Sequence, residues 1–243
     1  MQHTVWQHRD YMHCGDLVCP ISWGAPDGRR IMIAWITEGR PEAAQRAAGW
    51  AGIMSLPRVL SLGDDGVLRI EPLPELSRLR SNHRRLRDIP GGPGRRTSLM
   101  RPDEMRPLEG VRGDCLEISA VIDPGSAVDV GIALRRSTDG NRQTLVHYSR
   151  DRRHLAINVE RSHAPGVEAD LHAEIAPLDL PPDRPLELRV FLDRSVIEVF
   201  ANGRQCLTKR IYPDPQDLDA AFYCWGGTAT LRVLDVWNMT TPA

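Results

Sequence analysis

The sequence has no long apolar run, few aromatic residues and no excess of charge of either sign. Its apolar stretches fall short of the roughly 18 residues that a membrane-spanning helix needs, and its first residues lack the apolar core of a signal peptide. Lysine and arginine number 31 against 32 aspartates and glutamates, a formal net charge of -1. We therefore expect neither a nucleic acid nor a membrane as partner, and a cytoplasmic location.

The sequence also lacks the motifs of several common enzyme classes. It contains no P-loop, no dinucleotide-binding fingerprint and no G-x-S-x-G elbow. Its five cysteines are odd in number and mostly scattered, which favours reduced thiols over a disulfide framework. The grouping of His8, His13, Cys14 and Asp16 fits no compact zinc pattern. We expect no metal and no cofactor.

What the sequence does contain is a series of short apolar runs separated by turn signals. Runs rich in valine, isoleucine and leucine predict strands, and helical periodicity is confined to "RPEAAQRAAGW" and "PELSRLRSNHRRLR". The run "ATLRVLDVW" alternates, which places Ala229, Leu231 and Val233 on one face of a strand. The pattern predicts an all-β, antiparallel protein. Four dipeptides indicate hairpin turns: Asp27-Gly28, Asp65-Gly66, Asp139-Gly140 and Asn202-Gly203.

Composition divides the chain into three parts. A proline- and arginine-rich connection over 79–111 separates a tryptophan-containing module, 1–78, from evenly spaced strands over 112–243, which are typical of a sandwich. The apolar stretch "GWAGIMSLPRVLSL", residues 49–62, predicts a buried strand that leads from the first module to the second. Pro57 is expected at an edge or bulge of that strand, because proline lacks a backbone donor.

Three blocks of the chain resemble glycoside hydrolase family 32, the invertases, inulinases, levanases and other β-fructosidases. "GDLVCPISWGAPDGRRIMIAWI" with "GWAGIMSLPRVLSL" resembles the family's last propeller blade and its join to the sandwich. "ELRVFLDRSVIEVFANGRQCLTKRIYP" and "FYCWGGTATLRVLDVWNM" resemble strands of its C-terminal sandwich. The resemblance covers residues 15–239 in the family's order. It implies a remnant of a β-propeller blade followed by an antiparallel, lectin-like jelly-roll β-sandwich.

The same resemblance shows which family motifs this sequence does not carry. The family's nucleophile stands in an Asn-Asp-Pro motif, its transition-state stabiliser in an Arg-Asp-Pro and its acid/base in a Glu-Cys, and none of them occurs here. The aromatic residues that usually follow Gly15-Asp16 in the family are replaced by Leu17 and Val18. We therefore expect the last third of such an enzyme, without the usual catalytic motifs and with an altered sugar pocket.

Retaining glycoside hydrolysis needs two carboxyl groups, one ionised and one protonated. Asp16 matches the family pattern and is either a sugar-facing carboxylate or a turn residue. Glu38 follows the strand "IMIAWIT" and is either at the same rim or a solvated loop charge. Trp35 and Trp50 are candidates for stacking on a sugar face, and the alternative is packing between the two modules. The catalytic candidates are thus Asp16 and Glu38, and the substrate-binding candidates are Trp35 and Trp50.

Glu198 has a different expected role from these candidates. In "SVIEVFA" it shares a face with Val196 and Phe200, so alternation buries it and it needs a cation. We expect a structural ion pair with an arginine of a neighbouring strand, Arg189 or Arg210.

These observations predict a carbohydrate-active protein with a saccharide as substrate or ligand. One alternative is a glycosidase with a rebuilt acidic site, including one of altered specificity such as a β-galactosidase. The others are a non-catalytic, galectin-like binding sandwich and a fragment without activity. Because a lone blade exposes strand edges and apolar faces, we also expect a homo-oligomer, a homodimer through residues 1–60.

Overall fold

The computed structural model describes residues 14–92 and 105–240, and these form three β-sheets. Two sheets make a sandwich, and a third, smaller sheet packs on the outside of the sandwich. The all-β, antiparallel prediction is confirmed, since every pairing described is antiparallel except that of the short strand β1 (Cys14–Gly15). No helix in the described part of the chain has the length and apolar character needed to cross a membrane.

Two hairpins, joined by a segment that contains a helix, make up most of the small sheet. Asp27-Gly28 and Asp65-Gly66 both form the predicted turns, with Gly28 and Gly66 at positive φ, where glycine avoids the steric penalty of a Cβ. The strand order is β2-β3-β5-β6, with β4 paired to β3. The strands are β2 (Leu17–Gly24), β3 (Arg30–Ile36), β4 (Ile53–Met54), β5 (Arg58–Leu62) and β6 (Leu68–Pro72).

The stretch 49–62 differs from the single kinked strand that its sequence predicts. It forms two short strands, β4 and β5, which both pair with β3 and are separated by Pro57. Proline has no N–H to donate to a ladder, so the break falls where the donor is missing. The predicted helix before it is confirmed as α1 (Glu42–Ala48), which ends at Gly49 in the left-handed region.

The sandwich consists of a seven-stranded and a six-stranded sheet. The seven-stranded order is β1-β16-β15-β14-β9-β18-β7 and the six-stranded order is β13-β12-β11-β10-β17-β8. The strands of the first are, besides β1, β7 (Arg80–Gly91), β9 (Cys115–Asp123), β14 (Leu186–Asp193), β15 (Val196–Ala201), β16 (Gln205–Arg210) and β18 (Ala229–Met239). Those of the second are β8 (Met105–Arg112), β10 (Asp129–Arg136), β11 (Thr144–Ser149), β12 (His154–Asn158), β13 (Glu174–Pro177) and β17 (Asp219–Trp225).

Two segments differ from what the sequence predicts. The predicted connection 79–111 contributes β7 and β8, which are edge strands of the two sandwich sheets, to the fold. Arginine and proline are tolerated at sheet edges because one side of an edge strand needs no backbone partner. The segment "PELSRLRSNHRRLR", with its helical period, is a short 3-10 helix (Pro74–Leu79) that leads directly into β7.

Side chains from the two inner faces fill the sandwich core. Alternating residues such as Ile118 on β9 and Ile132 on β10 are fully buried there. In β18, Ala229 and Leu231 face this core as predicted, but a register shift follows Leu231. Leu234 takes the next core position in place of Val233, because one extra residue in a strand moves the following side chains to the opposite face.

The small sheet packs on the outer face of the seven-stranded sheet. Met32 and Ile70 contact Phe191 and Phe200 there in an apolar cluster. Ile36 belongs to a second cluster nearer β1. This packing brings the loop after β3 close to Arg210 at the end of β16. All four predicted site residues lie in the small sheet or at its junction with the sandwich.

Candidate functional site

Asp16 ties the small sheet to the sandwich. Its Oδ2 accepts a hydrogen bond of 2.7 Å from the Arg210 backbone N–H, and its Oδ1 lies 3.5 Å from the Lys209 Nζ. Its backbone is held as well, since its N–H donates to Thr208 and its carbonyl accepts from Thr37. Every polar group of Asp16 therefore has a protein partner on a strand or loop next to it.

Lys209 is the cation at the centre of this part of the junction. Its side chain is fully buried, and its Nζ lies 2.7 Å from Asp170, 3.1 Å from Glu174 and 3.5 Å from Asp16. Burial lowers the pKa of Lys209, but these carboxylates outweigh it and raise the pKa above its ordinary value. A lysine that stays charged is the internal counter-ion of three acids, and sequence analysis did not identify it.

Glu38 is buried and held from several sides. Its carboxylate accepts hydrogen bonds from the Arg40 side chain at 3.0 Å and from the Tyr212 hydroxyl, and Arg210 Nη2 lies 3.5 Å away. Burial opposes ionisation, but the hydrogen bonds and the Arg210 charge outweigh it and lower the pKa of Glu38 to about 2. At neutral pH Glu38 is a carboxylate, so it has no proton to give to a leaving group.

Trp50 lies at the outer end of the cluster that Glu38 forms with Arg40, Arg210 and Tyr212. The guanidinium carbons of Arg40 and Arg210 lie 4.7 and 5.2 Å from the centre of its ring, and both arginines also lie over Tyr212. Trp50 nevertheless stays 45% exposed. It is an aromatic surface held in place by arginines, with part of its ring open to solvent.

Trp35 has different surroundings from Trp50. It is on the outer face of the small sheet, opposite Val18 on one side and Met54 on the other, and it is half-exposed. Its indole covers Gly52, where a Cβ would lie 2.0 Å from Nε1. The structure thus brings Glu38 and Trp50 together through Arg40, and it places Trp35 on the sheet face and Asp16 in the Lys209 cluster.

A second ion pair in the junction involves Glu198. Glu198 is buried as predicted, but its partner is Arg58 of β5, not Arg189 or Arg210. Arg58 is itself fully buried and also donates to Cys206 Sγ at 2.8 Å and to Thr208 Oγ1 at 2.7 Å. The expectation of a structural ion pair is confirmed, and the choice of partner was wrong because Arg58 comes from the other module.

The carboxylates at the junction are therefore engaged in binding cations. Each predicted acid has a cationic partner from the sandwich or an adjacent loop, as expected for a structural interface between two sheets. Within residues 14–92 and 105–240, no group of three or more histidine, cysteine, aspartate or glutamate side chains is arranged to hold a metal ion. His8 and His13, part of the weak metal pattern in the sequence, lie outside the described residues.

Comparison with known proteins gives this geometry its family context. Residues 75–238 match the family model "Glycosyl hydrolases family 32 C terminal", and residues 3–72 match that of the family's N-terminal domain. A levanase of Bacillus subtilis is 30% identical over 93% of this chain and 34% of its own length. A sucrose-6-phosphate hydrolase of Zymomonas mobilis is 27% identical over 97% of this chain and 43% of its own.

Solved structures agree on the fold. A fructan 1-exohydrolase IIa of Cichorium intybus superposes with a TM-score of 0.82 at 20% identity, over 94% of this chain and 49% of that one. The chain spans less than half the length of each of these relatives. The matched C-terminal model alone covers more than half of the chain, and the resemblance found in the sequence is confirmed. The chain belongs to glycosyl hydrolases family 32.

Proposed function

We propose that this chain binds a β-fructoside and that the junction carboxylates Asp16 and Glu38 do not cleave the bound sugar. Support for the sugar class comes from the relatives, which are a levanase, a sucrose-6-phosphate hydrolase and a fructan exohydrolase by name. Their shared class of substrate is a saccharide that contains fructose. A chain of the same family, with both domain models matched in order, is expected to recognise the same class.

The observation that carries the proposal is the ionisation state at the junction. Retaining hydrolysis needs one carboxyl group that keeps its proton near neutral pH. Glu38 has a pKa of about 2, and Asp16 accepts a backbone hydrogen bond beside the charged Lys209. Glu38 is therefore a carboxylate near neutral pH and cannot protonate a glycosidic oxygen, and the Asp16 carboxyl is engaged by the Arg210 backbone and Lys209.

Trp50 is the side chain best suited to contact the sugar. An indole presents a flat apolar surface to the C–H face of a sugar ring, and Arg40 already fixes the orientation of this one. Arginine donors beside the ring add the hydrogen bonds that sugar hydroxyls accept. Rigid aromatic contacts of this kind lower the entropy cost of binding, because the ring does not have to be ordered when the sugar arrives.

Isothermal titration calorimetry of the purified chain with levan or inulin oligosaccharides tests the proposal. Trp50→Ala should abolish measurable binding. Trp23→Ala, which removes an equally exposed tryptophan from the outer face of the small sheet, should leave it unchanged. If neither fructan binds, or if both variants bind as the unmodified chain does, the proposal fails.

Hydrolysis is the second candidate, and family membership favours it. If the chain cleaves fructosides, Asp16→Asn should lower kcat by several orders of magnitude, since it would remove a nucleophile or general acid. Release of reducing sugar from sucrose or inulin, measured beside the binding titration, distinguishes the two. Activity that disappears in Asp16→Asn would support catalysis by this chain and reject a purely binding role.

A further inference from the structure

A long loop of the sandwich crosses the junction to the small sheet. Residues 159–173 connect β12 to β13, and within this loop the Ala164 N–H donates to the Tyr212 carbonyl at 2.9 Å. Further along, the Asp170 N–H donates at 3.2 Å to the carbonyl of Gly39, which lies in the loop after β3. The 159–173 loop therefore connects the six-stranded sheet to the small sheet across the end of the sandwich.

His163 is the histidine that this loop packs against the junction. Its ring contacts the Tyr212 ring edge to face, with the two centroids 5.6 Å apart, and the Tyr212 hydroxyl is donated to Glu38. Among the residues that the structure describes, none forms a hydrogen bond with either ring nitrogen of His163, and both nitrogens are closed off from solvent. A neutral imidazole tolerates this position better than an imidazolium, which has a charge and a second N–H donor to satisfy.

The charges nearest His163 also oppose its protonation. Burial, and after it the charge of Lys209, lower the pKa of His163 below its ordinary value. Asp170 acts in the opposite direction. Its carboxylate is already bound to Lys209 Nζ at 2.7 Å and to the His172 ring, so it is not free to pair with a second buried cation.

The outer side of the loop supplies no stronger counter-charge. Two acids and two arginines line the shallow depression beside His163: Glu160, Glu168, Arg142 and Arg161. Both acids are exposed, and charges that keep their hydration interact only weakly with a buried ring. The two signs are also balanced there, so protonation of His163 remains unfavourable while the loop is in place.

We infer that the 159–173 loop is a pH-sensitive tether, which leaves the junction when the His163 ring takes up a proton. The charged ring gains hydration only if the loop moves outward, towards the side on which residues 165–168 are exposed. This movement breaks the backbone hydrogen bonds of Ala164 and Asp170. Because the released loop binds the proton more readily, the tethered form is most stable above pH 6.5, the ordinary pKa of histidine, and weakens as the pH falls below it.

Hydrogen–deuterium exchange of the full chain at about pH 7.5 and about pH 5, corrected for the intrinsic pH dependence of exchange, tests this inference. Glu38 and Asp170 stay ionised over this range. Burial opposes the ionisation of both, but hydrogen bonds from arginine and lysine outweigh it and keep each pKa below its ordinary value. Peptides that contain the Ala164 and Asp170 amides should lose protection at least about threefold in acid, whereas peptides of β10 in the core should not.

Variants identify the histidine that is responsible. His163→Phe keeps an aromatic contact with Tyr212 but takes up no proton, so its loop should stay protected at both pH values, and His163→Gln serves if the first variant fails to fold. His154→Phe is the matched control, because burial also lowers the pKa of His154, which lies at the opposite end of β12. It should keep the acid response. Unchanged protection in the unmodified chain, an equal loss in a folded His163 variant, or disappearance of the response in His154→Phe would each overturn the inference.

Discussion

Replacing Arg58 is the most direct test of the interface between the small sheet and the sandwich. The side chain is fully buried and donates to Glu198, Cys206 and Thr208, all on the outer face of the seven-stranded sheet. Arg58→Met preserves much of the apolar volume but leaves the Glu198 carboxylate buried without a cation. Breaking a buried pair in this way costs about 3–5 kcal/mol of unfolding free energy.

For a chain of this size, 1 kcal/mol corresponds to a shift in Tm of about 2–4 °C, so Arg58→Met should lower Tm by roughly 6–20 °C. Combining it with Glu198→Gln should recover much of the loss. The neutral amide keeps an oxygen for the Leu56 N–H, which donates to Glu198 Oε1 at 2.8 Å, and removes the unpaired charge. The double variant should therefore be more stable than the sum of the two single effects predicts.

The assay is urea denaturation of the four proteins of this cycle, followed by both far-ultraviolet circular dichroism and tryptophan fluorescence. Tryptophans of the small sheet, Trp23 and Trp35, and of the sandwich, Trp225 and Trp237, all contribute to the fluorescence, so two separate fluorescence transitions would reveal separate unfolding of the small sheet. A loss below about 1 kcal/mol in Arg58→Met, or strict additivity in the double variant, would refute the argument that Glu198 depends on this cation.

Three further predictions concern the rest of the junction and the domain boundary. Glu38→Gln should weaken the dependence of stability on pH in acid. The pKa of Glu38 falls from 4.5 to about 2 on folding, so Glu38 contributes up to about 3 kcal/mol of stability above pH 4.5, and this contribution is lost as the pH falls towards 2. Thermal melts of both proteins from pH 7 to 2 would detect the difference. Lys209→Met should destabilise the chain by about 3–5 kcal/mol at pH 7, because it leaves Asp16, Asp170 and Glu174 without their shared cation, whereas Arg46→Met on the exposed face of α1 should change Tm little; thermal melts of both variants test this. A segment spanning 79–240 should unfold cooperatively in urea. The shorter segment 112–240 should not, because it lacks β7 and β8, the strands that pair with β18 and β17 at the sheet edges. Cooperative unfolding of the shorter segment would contradict this prediction.

Local features of the sequence were enough to predict the all-β class and its four tight turns. The four aspartate- or asparagine-glycine turns all join adjacent antiparallel strands, because the left-handed backbone that such turns need is a property of the residues themselves. Alternation likewise identified the core face of β18 as far as Leu231. It failed at Val233, since a bulge depends on how neighbouring strands fit together and leaves no mark in the alternation.

The sequence by itself determined the all-β class, the four tight turns and, through its resemblance, the family. Only the tertiary structure decided which charges meet. Glu198 and Arg58 lie 140 residues apart, and Glu38 and Tyr212 lie 174 apart, so no local spacing indicates either pair. Each contact exists because the small sheet packs against the seven-stranded sheet and encloses these groups away from water. Burial then makes pairing necessary, since an ionised side chain that loses its hydration needs an opposite charge or hydrogen bonds in its place.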